Sequence, residues 1–471
     1  MRKRDATLTT DQKALKLNLD KYKYGSIVEI GAGQEVARRF FHVGAAAGTI
    51  AKTMSAYDMA VSDDIYGHVD RYVSRARLLQ MLDREFSQVV KRLTHVRARN
   101  TTFFAYAATV TARSFKQKNE CHGWIGVRLQ LHPGAEPSDI VLHVRMLDND
   151  NAQQSEALGI LGVNLIYGAF FHFDQPEWIV EGLSDGLGSD RIEVDLIHFS
   201  GPYFEEVENR LMNLHLIRSW LTRAVVFNPA GEVVVPGELL YRKPVLVMRG
   251  SFNPVTLVNT DMMHAGLKQY SQISAVDENE VMALAEITMN SLVTGDNVDG
   301  EDFLARMDLL ASQGYTVMIS DYLRFFRLRA YLRRYTPKPI GIVLSVRDFE
   351  FLFDEKYYES LEGGILEAFG KLFPDNTHVY VYPARPRDKT DHDLVTLDNV
   401  VVPENLRHLL AFLIANNKLL AIKPLDESHL HIDSASVLAA LRRGRGEWET
   451  DVPENVAQTI VERRLLGFDT E

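Results

Sequence analysis

The chain has 471 residues, 46% of them hydrophobic and 24% charged, so it can build a sizeable core without disulfide or metal staples. Its 63 acidic and 52 basic residues give a formal charge of -11, which argues against broad nonspecific binding to nucleic acid. With Cys121 as the single cysteine, zinc ribbons, cysteine-held clusters and an intramolecular disulfide framework are excluded, and a reducing, cytoplasmic setting is expected.

The first 24 or so residues are polar and carry no apolar signal segment. Ser26 to Ile30 reads as a short strand, Gly31 and Gly33 as a turn, and a helical pattern opens near Gln34. VSRARLLQMLDREFSQVVKRL is spaced as an amphipathic helix, and the β-branched and aromatic run from Thr101 reads as a strand. The longest apolar run, Ala157 to Phe173, carries three glycines and an Asn between charged flanks. It is too short and too interrupted for a bilayer span, so a buried helix is expected and no membrane partner.

Apolar strand candidates then recur at Asp139, Arg191, Lys243, Tyr315 and Thr377, each ending in a polar or glycine-containing turn. Helical patterns lie between most of them: SEALGILGV, YFEEVENRLMNLHLIRSWL and NEVMALAEITMNSLV. This alternation predicts an α/β fold with a Rossmann-like, mostly parallel sheet and helices on both faces. The expected divisions are an N-terminal α/β region over 1–125, the central body over 126–390 and a helical C-terminal addition over 391–471. In the last, ENLRHLLAFLIANNKLLAI is expected as one long helix. A chain of this size and class is expected to form a closed homo-oligomer.

In such sheets ligands collect beyond the carboxyl ends of the strands. The most distinctive strand end is RGSFNPVTLVNTDMMHAG, from Arg249. Gly250 permits close approach of a ligand, Asn253 and Pro254 shape a turn, and Thr256 opens a helix whose N–H groups suit phosphate. A plain turn with a capped helix explains the same residues.

Gly250, Ser251, Phe252, Asn253 and Pro254, followed by Thr256, resemble the nucleotide-binding signature of nicotinamide- and nicotinate-mononucleotide adenylyltransferases. The resemblance implies a Rossmann-like fold that transfers adenylate from ATP to a mononucleotide, with Mg²⁺. It places Gly250, Ser251, Phe252, Asn253, Thr256 and Asn259 around ATP; in that reading Arg249 or an Arg of 324–329, Arg324 first, would neutralise charge. Asn259 stands where the family has a histidine, which implies the alternative of a noncatalytic structural or regulatory homo-oligomer with a nucleotidyltransferase-like fold.

Asp148 and Asp150, at the end of another strand, are candidate Mg²⁺ ligands through oxygen. DxD after an apolar strand also resembles the first motif of haloacid-dehalogenase-type phosphatases. That third reading implies Asp148 as nucleophile, Asp150 as acid and Ser251 as the second-motif serine. A solvated turn capping the next helix explains the same pair. Gly31–Ala32–Gly33 resembles the start of a methyltransferase cofactor loop, or is a structural turn. Arg145, Arg249, Arg324, Arg327, Arg385 and Arg387 all stand near predicted strand ends, where convergence would make an anion site for a phosphate or nucleotide ligand. His198 would join them as an acid–base group. Phe252, Tyr322, Phe325 and Tyr382 are candidates to stack a base.

Overall fold

A computed structural model describes residues 7–97, 99–111, 121–294, 297–374, 376–385, 394–444 and 447–468. They divide into two compact units, Met1–Arg223 and Ala224–Glu471. The division therefore falls near 223, not near 125 and 390.

The first unit runs α1 (Thr10–Asn18), β1 (Lys23–Gly31), α2 (Val36–His42), β2 (Ile50–Ala56), α3 (Met59–Tyr66), α4 (Arg75–Arg97), β3 (Thr102–Val110), β4 (Cys121–Leu129), β5 (Ser138–Met146), α5 (Asn151–Phe171), α6 (Pro176–Gly182), β6 (Ile192–Ser200) and α7 (Asn209–Arg218). Its six strands lie in the order β2-β1-β3-β4-β5-β6. β1 pairs in parallel with β2 and β3, and the rest of the sheet is antiparallel. The strands expected at Asp139 and Arg191 thus belong to this sheet. An apolar run shows that a segment is buried, but not which sheet it joins or in which direction.

Alternate residues of β4 face opposite layers. A side chain at Gly126 would meet Leu78 and Leu82 of α4, whereas Ile125 and Val127 share a core with Leu158 and Leu161 of α5. α4 buries Leu78, Met81, Leu82, Phe86 and Val89, one stripe at three- and four-residue spacing. α5 is apolar all round and buried from Ala157 to Phe170, as a helix sheathed by its own unit must be. Among the described residues no helix is long and apolar enough to cross a membrane.

The second unit continues with β7 (Ala224–Phe227), β8 (Val233–Val234), α8 (Pro236–Leu239), β9 (Val245–Arg249), α9 (Leu257–Ser274), β10 (Met282–Thr288), the hairpin β11 (Val293–Thr294) and β12 (Asn297–Val298), α10 (Gly300–Ser312), β13 (Thr316–Ser320), α11 (Phe325–Tyr335), β14 (Ile340–Ser345), α12 (Phe349–Phe353), α13 (Gly364–Leu372), β15 (Thr377–Tyr382), α14 (Arg407–Ala415), β16 (Leu419–Ala421), α15 (Ser434–Arg442) and α16 (Glu454–Arg463). The sheet order is β16-β15-β14-β9-β10-β13-β7-β8. All strands from β9 to β16 in this sheet are parallel, and β7–β8 closes one edge antiparallel. Counted along the chain from β9, the parallel strands read 3-2-1-4-5-6, the Rossmann order.

Val245, Val247 and Ile342 share a core with α11, α13 and α14, while Gly341 and Leu246 lie against Tyr270 of α9. Helices therefore cover both faces.

Two expected helices are partly strand. NEVMALAEITMNSLV contains β10, whose Leu284, Ala285 and Ile287 are fully buried between neighbours, so packing overrides the helix preference of Met, Ala, Leu and Glu. The long helix expected from Glu404 stops at Ala415, because Asn417 turns left-handed (φ 54) and the chain enters β16. The C-terminal region is thus not purely helical: it adds an edge strand to the second sheet.

Candidate functional site

The strand order of the second unit reverses between β9 and β14, which leave the sheet toward opposite sides. Above that point lies a cavity of about 590 Å³. Its walls come from the carboxyl end of nearly every parallel strand: Arg249 to Ser251 at the end of β9, Thr288 at the end of β10, Arg324 beyond β13, Ser345 at the end of β14 and Tyr382 at the end of β15. Leu430 and the run Ile432 to Ala435, which leads into the first turn of α15, also line it.

The loop after β9 is built from below. Phe252 is 1% exposed and holds a left-handed backbone (φ 46), with its ring under Gly250. A Cβ at Gly250 would come 2.9 Å from that ring, so glycine is required by packing whatever binds above. Phe252 is thereby a foundation and not a stacking surface. Asn253 donates to Asp302 Oδ1 of α10 at 3.1 Å, and Asp302 is ion-paired with Arg306. Arg306, 6% exposed, donates in turn to the carbonyls of Ser251 (3.2 Å) and Ser291 (3.0 Å). One carboxylate and one guanidinium of α10 thus clamp the loop.

Thr256 is fully buried at the cap of α9, with its N–H (3.0 Å) and hydroxyl (2.9 Å) donating to Asn259 Oδ1. Asn259 also lines the cavity, so the residue standing in the family's histidine position is partly spent on the helix start.

Arg249 is more deeply committed. It donates to both carboxylate oxygens of Glu286 (2.9 Å each) and to the carbonyls of Tyr322 (2.6 Å) and Leu323 (2.8 Å). That uses four of about five guanidinium N–H donors. Its plane lies over Phe325 at 4.3 Å. Glu286 is fully buried on β10, where it also accepts from Ser320 at 2.6 Å. Arg249 lines the cavity with its charge already answered.

The other cations there are Arg324, which donates to Ser360 (3.1 Å), and Arg347, which meets Asp433 Oδ1 at 3.3 Å and the Arg385 carbonyl at 2.9 Å. Tyr382 donates to Asp261 of α9, and burial followed by that carboxylate raises its pKa well above the usual phenol value. The same carboxylate accepts the N–H groups of Leu425 and Asp426, both at 3.1 Å, and so anchors the segment leading to the cavity wall.

The sequence expectations divide accordingly. Arg249, Gly250, Ser251, Asn259 and Arg324 line one cavity, Phe252 and Thr256 support it, and Asn253 ties it to α10. Of the stacking candidates, Phe325 and Tyr382 line it. Arg327 and Arg385 are exposed and do not line it, and Arg387 lies outside the described residues.

Asp148, Asp150, Arg145 and His198 belong to the first unit, and none lines this cavity. Asp148 is held by Arg191 at 3.0 Å, and Asp150 caps α5 through the N–H groups of Ala152 (2.8 Å) and Gln153 (3.2 Å). Those are the bonds of a structural turn. Arg145 is ion-paired with Glu193, and His198 sits half-buried on β6 opposite Val141. Among the described residues no group of three or more His, Cys, Asp or Glu is placed to hold a metal.

Gly31–Ala32–Gly33 is likewise structural. Gly31 has φ 85, and a Cβ there would sit 2.0 Å from the Val110 carbonyl. The start of α2 is filled by the chain's own Glu29, which accepts from Val36 (3.1 Å) and Ala37 (3.3 Å). Burial raises the Glu29 pKa to about 7 against the pull of those N–H groups.

Sequence reasoning missed Glu286, Asp302, Arg306 and Arg347. Only Glu286 left a signal: a carboxylate inside the apolar run MALAEIT must have a buried partner.

No protein-family model matches the chain, and no curated protein matches it. Solved structures resemble it in part. A Plasmodium falciparum nicotinic acid mononucleotide adenylyltransferase complexed with APC is 12% identical over 49% of this chain and 100% of its own, with a TM-score of 0.30. The competence/damage inducible protein CihA from Agrobacterium tumefaciens is 16% identical over 35% of this chain and 97% of its own, with a TM-score of 0.24. A competence-damaged protein superfamily member from Enterobacter cloacae is 11% identical over 36% of this chain and 96% of its own, with a TM-score of 0.22. Likeness at this level decides nothing about a reaction.

Proposed function

We propose that the second unit binds a nucleotide, or another small phosphate-bearing molecule, in the cavity above β9 and β14. The observation that supports this most is the coincidence of the strand-order reversal, the Gly250–Ser251 loop and a cavity of about 590 Å³, a volume in the range of small-molecule sites. The exposed backbone of the loop and the start of α9 would face the phosphates, with Arg324 and Arg347 at the rim.

Adenylyl transfer from ATP to a mononucleotide is the finer form of this proposal, and catalysis there would come from positioning and charge. One observation favours a noncatalytic binding role instead: the Arg249 guanidinium at the end of β9 is neutralised by Glu286. Among the described residues no carboxylate cage for the Mg²⁺ that such a transfer uses lines the cavity. Of the two lining aspartates, Asp433 is taken by Arg347 and by Ser436.

Calorimetric titration with ATP, ADP and inorganic tripolyphosphate tests the binding, and pyrophosphate release with nicotinate or nicotinamide mononucleotide tests the transfer. Saturable binding without release supports the noncatalytic form, and absence of binding by all three probes sinks the proposal.

A further inference from the structure

Three side chains on neighbouring strands of the first sheet form a hydrogen-bonded chain that the cavity of the second unit does not involve. The β5–β6 register shifts between His143 and Val144, and Asp195 of β6 meets His143 there. Asp195 Oδ1 lies 2.6 Å from His143 Nδ1, and His143 Nε2 lies 3.2 Å from Nδ1 of His122 on β4. Trp124 packs edge-on against His143, with ring centres 4.9 Å apart. Asp195 is 1% exposed and His143 3%, whereas His122 is only half-buried. The second oxygen of Asp195, Oδ2, is buried and has no hydrogen-bond partner among the described residues. A carboxylate serving only to hold two strands together would be expected to satisfy both oxygens, since a buried unmet group costs about 1–3 kcal/mol.

The carboxylate fixes the direction of the whole chain. With Asp195 as the carboxylate it only accepts, and Nδ1 of His143 then carries the hydrogen. With His143 neutral, its one N–H is spent on Asp195, so its Nε2 is a lone pair that takes the hydrogen on His122 Nδ1. The remaining nitrogen, His122 Nε2, then presents a lone pair on the only ring of the two that is not buried.

Among the described residues, the charged and titratable groups acting on His122 are His143 and Arg145 from β5, Asp195 from β6 and Arg71 from the segment before α4. Arg145 is itself paired with Glu193. Burial first, then His143 and Arg71, lower the His122 pKa to about 4, so the ring is neutral at pH 7.

We propose that Asp195, His143 and His122 are a proton relay that makes His122 Nε2 the general base of a second site, acting on water or a small hydroxyl-bearing substrate. The substrate O–H bond breaks as the Nε2–H bond forms. The Nδ1 hydrogen of His122 passes to His143 Nε2, leaving one imidazolium beside Asp195 and one oxyanion on the substrate. His122 is the residue that touches the substrate, and His143 and Asp195 are positioning residues. The relay lets His122 accept a proton without keeping the charge, which ends on the ring beside the carboxylate.

Nitrogen-15 NMR of the full chain with labelled histidines tests this on the unaltered protein. At neutral pH His122 should show a protonated Nδ1 and an unprotonated Nε2, and a protonated Nε2 overturns the proposal. Asp195→Asn supplies the perturbation. Its amide NH₂ should face His143 Nδ1, because the opposite rotamer buries that NH₂ where Oδ2 now finds no partner. Both rings then reverse, and His122 Nε2 becomes protonated. Carbethoxylation of His122 by diethyl pyrocarbonate, followed by peptide mass spectrometry, should slow by roughly tenfold or more, because the reagent attacks an unprotonated ring nitrogen and the one facing outward now carries the hydrogen. A rate within about twofold of the parent in a folded variant overturns the relay. Should the variant not fold, the spectrum of the parent protein decides alone.

Discussion

Replacing Glu286 with Gln removes one negative charge from beneath the strand ends while keeping the side chain's shape. Arg249 retains the carbonyls of Tyr322 and Leu323 but loses its counter-ion. Breaking one partner of a buried pair costs about 3–5 kcal/mol, and the retained carbonyls and the 17% exposure of the Arg249 side chain put this case near the lower end, about 3 kcal/mol. Binding should move the other way. A freed unit charge about 5 Å from a phosphate, at an effective dielectric near 20, is worth about 3 kcal/mol before screening. With solvent and counter-ions in an open crevice, about 1–2 kcal/mol should survive, or roughly five- to thirtyfold tighter binding. Calorimetry with ATP and tripolyphosphate reads the affinity, and urea unfolding reads the stability. A variant that loses stability without gaining affinity for either probe would refute the placement of phosphates beside Arg249.

Two other predictions concern the clamp on the loop and the buried acid of the first unit. Asp302→Ala releases Asn253 and leaves Arg306 without its ion pair, so the loop after β9 loosens. Affinity for tripolyphosphate should fall by about tenfold, and an unchanged dissociation constant would show that α10 does not position the site. Glu29 has a folded pKa raised from 4.5 to about 7, so between those values the folded chain holds a proton that the unfolded chain has released. Stability contributed by this group is therefore full below the lower value, falls as pH rises through the window and stays low above it, by about 3 kcal/mol in all. Glu29→Gln should flatten that part of the pH dependence in thermal melts between pH 5 and 8, and a slope equal to the parent's would rule the assignment out.

The alternation of strands and helices was legible in the sequence because buried parallel strands are short apolar runs bounded by turns. What was not legible is which runs share a sheet. β5 and β6 look like β9 and β15 as strings, yet they pair antiparallel in the first unit, and only tertiary contacts make that difference. β10 and β14 hid for separate reasons. MALAEIT is written in helix formers, and IGIVLS follows two prolines and precedes an irregular stretch. Those two strands flank β9, so missing them also hid the reversal that locates the cavity.

Of the site itself, GSFNP was visible because its glycine and proline punctuate a strand end. Asp302 and Arg306 were not, since ordinary helix residues some 50 positions away carry no mark of the loop they hold. The Asp148–Asp150 pair shows the converse. Its spacing suggested metal chemistry, and the fold uses it for a cap and an ion pair. Short polar motifs at strand ends are shared by turns and by sites, so only the company they keep in space separates the two.

The proposed phosphate cradle is the Gly250–Ser251 loop, at the reversal of strand order. A crystal structure of the full chain grown or soaked with ATP and Mg²⁺ tests it most directly. Triphosphate density is expected over the backbone of Gly250 and Ser251, in front of α9 and between the ends of β9 and β14. Density for the nucleotide elsewhere, or an empty crevice at millimolar ATP, would contradict it.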